Sequence, residues 1–284
     1  MVKLACSTVF ALVLAAACGG GDDDDDATVD AAPAPDADVR GTVSFAWSLS
    51  DGSGPITCDD VGADAVSISL LPVGVQGGTS DVSGCPNGAS SGTFQSRGVP
   101  PRDYDVEITI SAAQGDLIDE PIRFKGVTVA PAQDTALGDV EFVVDPVGNL
   151  TFSLRALEPG GNCAPVDDDG AAITKFELEL SQGGTCVPVD FAIHDPTGVL
   201  EATYATTCAG EQHDACIPED RELRVADIGS GPTRLSVVGY RDGDLPCYVT
   251  TADIDVPGND LTAAVGAISI PLDMSNDACA PPMP

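Results

Sequence analysis

The sequence predicts an all-β protein of two tandem β-sandwich domains, and three observations support this. Apolar and polar residues alternate over many short segments, which is the period-two pattern of a strand buried on one face. Glycine and proline are frequent, at 31 and 22 of the 284 residues, and supply turn signals between these segments. Helical periodicity is absent beyond the first 17 residues.

The alternating segments occur in two similar sets, so the chain contains an internal repeat. The sets open at residues 41–49 and 148–154, with the pattern Gly-x-Val-x-Phe in the first and Gly-x-Leu-x-Phe in the second. A loop with a cysteine and a Gly-Ala pair follows in each. Residues 104–110 then correspond to 234–240, and each set closes with a pair of strands. We therefore expect two copies of one fold.

The repeat sets the expected domain boundaries. The first domain is predicted at residues 40–145 and the second at 146–284, joined near Asp145-Pro146. About seven short strands in each suggest a sandwich with Greek-key connections. The second domain contains a cysteine-bearing insertion at about residues 186–222, which has no counterpart in the first.

The strand and turn pattern resembles the carboxypeptidase-regulatory-like or transthyretin-like branch of immunoglobulin-like modules. The resemblance rests on the Gly-x-Val-x-Phe opening, the turn before Tyr104-Asp105-Val106 and the late Gly-Val-Thr-Val strand at 126–129. It implies a spacer, an interaction domain or an adhesin stalk. The cysteines and the insertion depart from the family pattern. A Cys…Trp…Cys immunoglobulin core does not fit, because Trp47 precedes both Cys58 and Cys85.

The first 17 residues have the features of an export signal. Lys3 is followed by an apolar segment, residues 4–17, that is too short to span a bilayer. The small residues 15–17 before Cys18 resemble the lipobox of bacterial lipoproteins, with Ala15 where that family favours leucine. The resemblance implies a diacylglycerol on the thiol of Cys18, which becomes the N-terminus. The alternative is an Ala-x-Ala cleavage site, which would release a soluble protein with a free thiol.

Residues 18–39 are predicted to form a disordered acidic tether after the lipidated cysteine. Glycines 19–21, the five aspartates 22–26 and an alanine-proline segment favour a solvated, extended chain. Gly19 replaces the aspartate that would signal retention in the inner membrane, so the resemblance points to the outer membrane or cell surface. The aspartate run also resembles export signals of some surface lipoproteins.

The formal net charge of −33 limits the classes of partner. It arises from 12 basic and 45 acidic residues. Such a charge repels nucleic acid, so we expect no nucleic-acid partner. It also disfavours adsorption to anionic lipid headgroups, so membrane attachment is expected to be covalent, through the N-terminal lipid.

Eight cysteines remain besides Cys6 and Cys18, an even number typical of disulfides in an exported protein. The only two in the first domain, Cys58 and Cys85, are expected to bond. By the repeat, Cys163 corresponds to Cys58, and either Cys208 or Cys216 to Cys85, with Cys186 bonding to the other. The last two would tie the C-terminal tail to a late strand. They are Cys247 and Cys279.

No catalytic constellation is predicted, so the protein is not expected to be an enzyme. The only histidines, His194 and His213, both lie in the insertion and are interpreted as exposed loop residues. A hydrolase would have to pair one of them with Asp195 or Asp214 and a nucleophile such as Thr207. No Gly-x-Ser-x-Gly elbow supplies a nucleophile, and adjacent residues rarely give triad geometry.

Two groups of aspartates follow corresponding cysteines in the repeat and are weak candidates for a calcium site. Calcium binds six to eight oxygens, and clustered carboxylates with backbone carbonyls could begin such a site. The same residues are ordinary turn formers, and the spacing of a calcium loop is missing. No cofactor is therefore assigned. The candidates are Asp59, Asp60, Asp64, Asp167, Asp168 and Asp169.

These features predict an outer-membrane or surface lipoprotein that acts as a non-catalytic binding or structural module. Its ligand, a protein or a polysaccharide, is not identified by the sequence. Trp47 is expected in a core rather than on a sugar-binding platform. The alternatives are an anchored or secreted hydrolase that uses the insertion, and a calcium-stabilised adhesin.

Overall fold

A computed structural model describes residues 39–279 as part of one compact unit. These residues form 17 strands and three short 3₁₀ turns, with no α-helix among them, so the all-β prediction is confirmed. Within this range no helix is long and apolar enough to cross a membrane. The predicted signal segment, Cys18 and the aspartate run lie outside the described residues.

The first half contains eight strands in two sheets. One sheet has the order β4-β1-β8, and the other has the order β3-β2-β5, with β6 and β7 both paired to β5. β1 and β8 run parallel, whereas β1 pairs antiparallel with β4. The strands are β1 (Thr42–Ser50), β2 (Ala65–Pro72), β3 (Thr79–Gly84), β4 (Ser91–Gln95), β5 (Arg102–Ala112), β6 (Gly115–Asp116), β7 (Ile122–Val129) and β8 (Asp134–Val143).

The second half contains nine strands, again in two sheets. Their orders are β11-β10-β15-β16 and β13-β12-β14-β9-β17. β9 and β17 run parallel, as β1 and β8 do. The strands are β9 (Val147–Ala156), β10 (Lys175–Gln182), β11 (Thr185–Val187), β12 (Val189–His194), β13 (Leu200–Thr206), β14 (Glu222–Gly229), β15 (Gly231–Arg241), β16 (Leu245–Val256) and β17 (Thr262–Ile270).

Each half encloses its own hydrophobic core between its two sheets. Alternate residues of β1 supply the first core, and Trp47 belongs to it with 5% of its surface exposed. Gly92 lies opposite Trp47 on β4, where a Cβ atom would approach the indole to 2.7 Å. The missing side chain therefore makes room for the indole, and the prediction of a core tryptophan is confirmed.

The internal repeat is visible in the sheets. β1 and β9 are equivalent central strands, flanked antiparallel by β4 or β14 and parallel by β8 or β17. Both parallel pairs are interrupted by one irregularity, beside Gly138 and Gly266. These glycines have φ values of 89° and 76°, the left-handed region that glycine tolerates best.

The insertion is a β-hairpin rather than a loop. β12 and β13 pair antiparallel with each other, and β12 also pairs with β14, so the hairpin adds two strands to one sheet. The interpretation of both histidines as exposed loop residues is therefore wrong. His194 is the last residue of β12, and the backbone of His213 forms a bridge with Phe176.

The predicted disulfide bonding is confirmed, with all eight cysteines of the described residues in four bonds. Cys58–Cys85 and Cys163–Cys216 occupy equivalent positions, each joining the connection after the central strand to the segment before β4 or β14. Cys186–Cys208 links the two ends of the inserted hairpin. Cys247–Cys279 ties the last described residue to β16. The repeat left two pairings open, and the structure has Cys216 as the counterpart of Cys85.

The turn between β16 and β17 connects the two halves. The Gly258 amide donates to the Val61 carbonyl oxygen at 3.0 Å, and the Asn259 amide donates to that of Asp145 at 2.7 Å. A Cβ atom on Gly258 would lie 2.5 Å from the Asp145 oxygen, so only glycine fits this approach. Leu261 packs against the first core. Backbone bonds and apolar contact thus hold the halves together.

Candidate binding surface

The hairpin β12–β13 extends the outer face of one sheet of the second half. Phe191, Ile193 and Tyr204 point inward and are buried, so the residues between them face outward. On the core side, the Phe191 and Tyr204 rings stack with centroids 5.9 Å apart. Aromatic packing of this kind is worth about 0.5–1.5 kcal/mol beyond area burial. The hairpin is therefore fixed from beneath, and its outer face is a defined surface.

A carboxylate shapes the tip of the hairpin. Asp195 Oδ1 accepts hydrogen bonds from the Thr197 amide, the Thr197 hydroxyl and the Val199 amide, at 2.8, 2.7 and 2.8 Å. The Thr197 hydroxyl contributes most to lowering the pKa of Asp195. An aspartate that accepts from the following backbone is a typical turn former. Asp195 is therefore a structural residue of the turn.

A trough lies on the outer face of this extended sheet, with a volume of about 780 Å³. Its floor consists of small side chains from three neighbouring strands, which leave room above the sheet. Polar and charged side chains lie around this floor. The floor residues are Ala192 (β12), Thr203 and Ala205 (β13) and Ala226 (β14), and the polar and charged ones around them are Asp190, His194, Thr207, Arg224 and Asp227. We call this surface the trough.

A bulge in β14 shapes one end of the trough. The pairing of β14 with β9 shifts between Val225 and Ile228, and Asp227 has a φ of 54°. Bulges add an unpaired residue and redirect neighbouring side chains, and they occur often beside binding sites. Ala226, Asp227 and Ile228 all line the trough.

Thr206, at the end of β13 beside the trough, points inward as Tyr204 does, and its hydroxyl is unusual. Thr206 is 5% exposed, and its Oγ1 is the one buried side-chain polar atom of the described residues without a hydrogen-bond partner. An unsatisfied buried hydroxyl costs about 1–3 kcal/mol. Such groups are rare in native proteins and call for an explanation. The unpaired Thr206 hydroxyl is thus a local cost to stability at the end of β13.

Charges at the other end of the trough are arranged for hydrogen bonding. Arg224 pairs with Glu222, and both side chains are nearly half exposed. His194 Nδ1 lies 3.1 Å from the Gly198 carbonyl oxygen, which can only accept, so this nitrogen carries a proton. The trough therefore offers a guanidinium and an imidazole from adjacent strands.

His213 does not belong to the trough. Its ring lies against Tyr204, with ring centroids 5.6 Å apart. Burial lowers the pKa of His213, opposed by the negative charge of Asp214. Burial also raises the pKa of Tyr204 to about 12. These two rings act as packing groups.

The residues that a hydrolase would need are not brought together. The Thr207 hydroxyl donates to Glu211, Asp195 is used within its own turn, and Asp214 lies 3.5 Å from Lys175. Neither histidine forms a hydrogen bond with Thr207. Their contacts are therefore those of structural residues.

The calcium candidates lie in two equivalent turns, one in each half. Asp59 Oδ2 accepts from the Gly88 amide at 2.8 Å, and Asp60 Oδ2 accepts from the Thr57 amide and hydroxyl at 2.8 and 2.7 Å. Asp167 and Asp168 belong to the 3₁₀ turn Val166–Asp168, which Asp169 ends with a φ of 57°. Within residues 39–279 no three carboxylates, histidines or cysteines gather as a metal site would require. Asp59 and Asp60 thus stabilise the turn through the hydrogen bonds that they accept.

A second cavity, of about 540 Å³, lies where the two halves meet. Carboxylates surround it, while its floor includes the small residues Ala63 and Ala263, both almost fully buried. Asp253 is already paired with Arg234 at 2.7 Å. The carboxylates that line this cavity are Asp59, Asp64, Asp253 and Asp255.

Sequence reasoning placed His194 and Thr207 in the region of the trough but missed the surface itself. The segment Val189–His194 alternates only weakly, because Ala192 faces outward where a polar residue would have signalled a strand. The Asp-Pro-Thr-Gly turn at 195–198 was the available signal for a hairpin.

Comparison with known proteins gives no assignment from sequence. No protein-family model matches the chain, and no curated protein matches it. The resemblance to carboxypeptidase-regulatory-like or transthyretin-like modules therefore stays a prediction.

Several solved structures are similar to the chain at low identity. A leucine-rich repeat protein from Bacteroides thetaiotaomicron is 12% identical with a TM-score of 0.25, over 83% of this chain and 26% of that one. A streptococcal ancillary pilin is 10% identical with a TM-score of 0.24, over 82% and 63%. The tip fimbrial protein Mfa3 from Porphyromonas gingivalis is 8% identical with a TM-score of 0.28, over 75% and 81%. With TM-scores this low, function has to be argued from the site itself.

Proposed function

We propose that the protein is a lipid-anchored surface protein that binds a ligand without catalysis. The second half carries the binding surface, and the first half serves as the support that joins it to the anchor. The observation that carries this proposal is the inserted hairpin. It adds two strands and a disulfide to a fold that the first half completes without them.

The trough supports binding rather than turnover. Its floor of alanine and threonine side chains is open enough to admit another chain, and Arg224 and His194 can hydrogen-bond to it. None of the described residues that line it is a phenylalanine, tyrosine or tryptophan, so the stacking platform common in sugar binding is missing there. We therefore favour a protein segment as the ligand over a polysaccharide.

Anchoring rests on the sequence around Cys18. Two or three acyl chains give lasting attachment, where a single chain gives only marginal binding. The test is the intact mass of the protein extracted from membranes. We expect the mass of the chain from Cys18 onward plus acyl groups. A mass without them, on a protein released into the medium, would contradict the anchor.

The non-catalytic proposal has its own test. Cells that carry the protein are given chromogenic ester, glycoside and peptide substrates, and we expect no more turnover than in cells without it. Turnover that disappears in His194→Ala or His213→Ala would show that the protein is a hydrolase. Both histidines have packing or turn contacts, so the folding of each variant is checked by circular dichroism.

A further inference from the structure

We propose that one end of the first half is a membrane-contacting surface that rests on the bilayer in which Cys18 is anchored. This inference rests on the proposed anchor but concerns a different part of the molecule. The surface is formed where the chain enters the described structure, at Val39 and Arg40. We call it the base.

Four chain segments meet at the base. The Gly41 amide donates to the Val99 carbonyl oxygen at 3.0 Å, and the Ala132 amide donates to that of Arg40 at 3.2 Å. The Val73 amide donates to the Asp103 carbonyl oxygen at 3.0 Å, beside the start of β5. The chain entrance and the connections β2–β3, β4–β5 and β7–β8 therefore lie at one end of the half.

The base is apolar where it faces solvent. Leu71, Val73 and Val75 are 40%, 54% and 59% exposed, at the end of β2 and in the turn that follows it. Pro100 and Pro101 are exposed in the β4–β5 connection, as is Pro131 in the β7–β8 connection. Exposed apolar side chains gathered in one place mark contact with another protein or a membrane.

The shape of the base is fixed from within. The Tyr104 hydroxyl donates to the Pro100 carbonyl oxygen at 2.8 Å, and the ring is buried. A tyrosine held in this way is a known corner device of immunoglobulin-like sheets. The prolines of the β4–β5 connection are thereby held in place at the base.

Charge distinguishes the base from the rest of the half. Three of the five basic residues of the first half, Arg40, Arg97 and Arg102, lie at the base, and the other two lie on β7 beside the middle of β5. Arg97 pairs with Asp81 at 3.2 Å and Arg123 with Glu107 at 2.9 Å. Asp103 and Asp134 accept hydrogen bonds from hydroxyl groups. The five basic residues are Arg40, Arg97, Arg102, Arg123 and Lys125.

The opposite end of the half joins the second half, and the charged residues that the first half contributes there are all acidic. It is formed by the end of β1, the 3₁₀ turn Asp59–Val61, the β5–β6 connection and the end of β8, and none of the described residues there is basic. The described residues of the base thus carry similar numbers of basic and acidic groups, within a chain of net charge −33. An apolar, charge-balanced surface suits zwitterionic lipid headgroups, which would not attract the acidic end. The acids at that end are Asp51, Asp59, Asp60, Asp64, Asp116, Asp119 and Asp145.

Because the protein is anchored, the base needs only a weak affinity for lipid to stay on the membrane. Twenty residues separate Cys18 from Val39, and at about 3.3 Å per residue they reach at most about 65 Å. Because the chain enters at the base, the lipid and the base attach to the same end of the molecule. Tethering turns the contact into an intramolecular event with a high effective concentration. Three exposed aliphatic side chains can then decide how the protein sits on the membrane.

The test uses the chain from Cys18 onward, coupled through its thiol to a maleimide phospholipid in phosphatidylcholine vesicles. Cys18 is the one free thiol to be expected, because the eight cysteines of the described residues are paired. The reporter is Val75→Trp and its matched control is Val199→Trp. These valines are 59% and 60% exposed, and Val199 lies in the turn of the inserted hairpin. The native Trp47 is buried and contributes the same background to both.

Vesicles with and without brominated lipid are compared. We expect bromolipid to reduce the added emission of Val75→Trp by about twofold, as for a ring at the headgroup boundary, and to leave Val199→Trp unchanged. Adding Val73→Asp to Val75→Trp is expected to abolish the quenching. Equal quenching of the two tryptophans, or quenching that survives Val73→Asp, would overturn the proposal.

This design separates the base from the anchor. Because the lipid is coupled chemically, the result does not depend on whether the cell acylates Cys18. An acylated protein whose Val75→Trp is not quenched would refute the base alone. A quenched Val75→Trp on a protein that cells leave unacylated would refute the anchor alone.

Discussion

The two halves share one strand plan but differ in how far one sheet extends. In the first half that sheet ends at β4 after three strands, whereas in the second it continues past β14 through β12 and β13 to five. Both halves keep the parallel neighbour, its irregularity and the equivalent disulfide. Since the shorter sheet already closes a core, stability alone does not require the hairpin. The hairpin is therefore where a function can be sought.

The halves also differ at their ends. The first half has an apolar, charge-balanced base, and the second carries both histidines of the protein. The turn between β16 and β17 joins them by backbone hydrogen bonds. These differences fit the proposal that the first half supports the molecule and the second half binds the ligand.

The largest expected effect comes from removing the equivalent disulfides. In the chain-entropy model the 27-residue separation of Cys58–Cys85 is worth about 3.5 kcal/mol, and the 53-residue separation of Cys163–Cys216 about 4 kcal/mol. Double substitution to alanine should lower the free energy of unfolding by nearly these amounts. Urea denaturation with Trp47 fluorescence measures the first half, and amide hydrogen exchange measures the second. A negligible loss for either pair would contradict their equivalence.

The next largest difference between the halves is expected for substitutions of the residue just before the first cysteine of each equivalent disulfide. Asn162 is fully buried, accepts from the Ala156 amide at 2.7 Å and donates to the carbonyl oxygens of Leu154 and Ile217 at 2.9 and 2.8 Å. Asn162→Ala leaves these groups unsatisfied and should cost about 2–4 kcal/mol. Thr57→Ala removes a hydroxyl bond near the surface and should cost less than about 1 kcal/mol. Equal losses in denaturation would refute this contrast.

Tyr104→Phe is expected to have a smaller effect, confined to the first half. It removes the hydroxyl bond to Pro100 but keeps the buried ring, so the cost should be about 1 kcal/mol. The sheet pairings make Thr233 the counterpart of Tyr104, so the expected match of residues 104–110 with 234–240 is wrong by one residue. Arg234, the next residue of β15, faces outward and pairs with Asp253 in solvent. Arg234→Ala should change the stability less, as measured by the same denaturation curves. A larger loss of stability for Arg234→Ala than for Tyr104→Phe would show that the hydrogen bond from Tyr104 to Pro100 does not stabilise the first half.

The smallest effect is a pH dependence that belongs to the second half. Because burial lowers the pKa of His213, the unfolded chain takes up a proton at about pH 6.5 before the folded protein does. Stability should therefore decrease as pH falls through and below 6.5, and His213→Gln should remove this slope. Thermal melts between about pH 7.5 and 5.5 measure it, and an unchanged slope in His213→Gln would contradict the assignment.

Much of the fold could be predicted from local pattern. The alternation at Val43, Phe45 and Trp47 gives both the strand and its buried face, because side chains on a strand alternate between its two sides. The repeat also predicted the disulfide pairing, because equivalent loops of the two halves hold their cysteines at equivalent positions. It left Cys208 and Cys216 as alternatives because the path of the insertion was unknown.

The candidate surface could not be predicted in the same way. The trough depends on side chains from three strands, β12, β13 and β14, whose order in the sheet differs from their order in the chain. The charge balance of the base could not be predicted either, because the net charge of −33 does not say where the basic residues lie. Both features depend on long-range pairing, which composition and local pattern do not contain.

The central claim, that the second half binds a ligand through the trough, is tested most directly by photo-crosslinking on intact cells. A photoreactive phenylalanine analogue replaces Ala205 in the trough or Thr93, which faces outward on β4 of the first half. We expect a discrete adduct from position 205, no adduct from position 93, and loss of the first when Ala192→Arg fills the trough. Equal adducts from both positions, or an adduct at 205 that survives Ala192→Arg, would contradict the account.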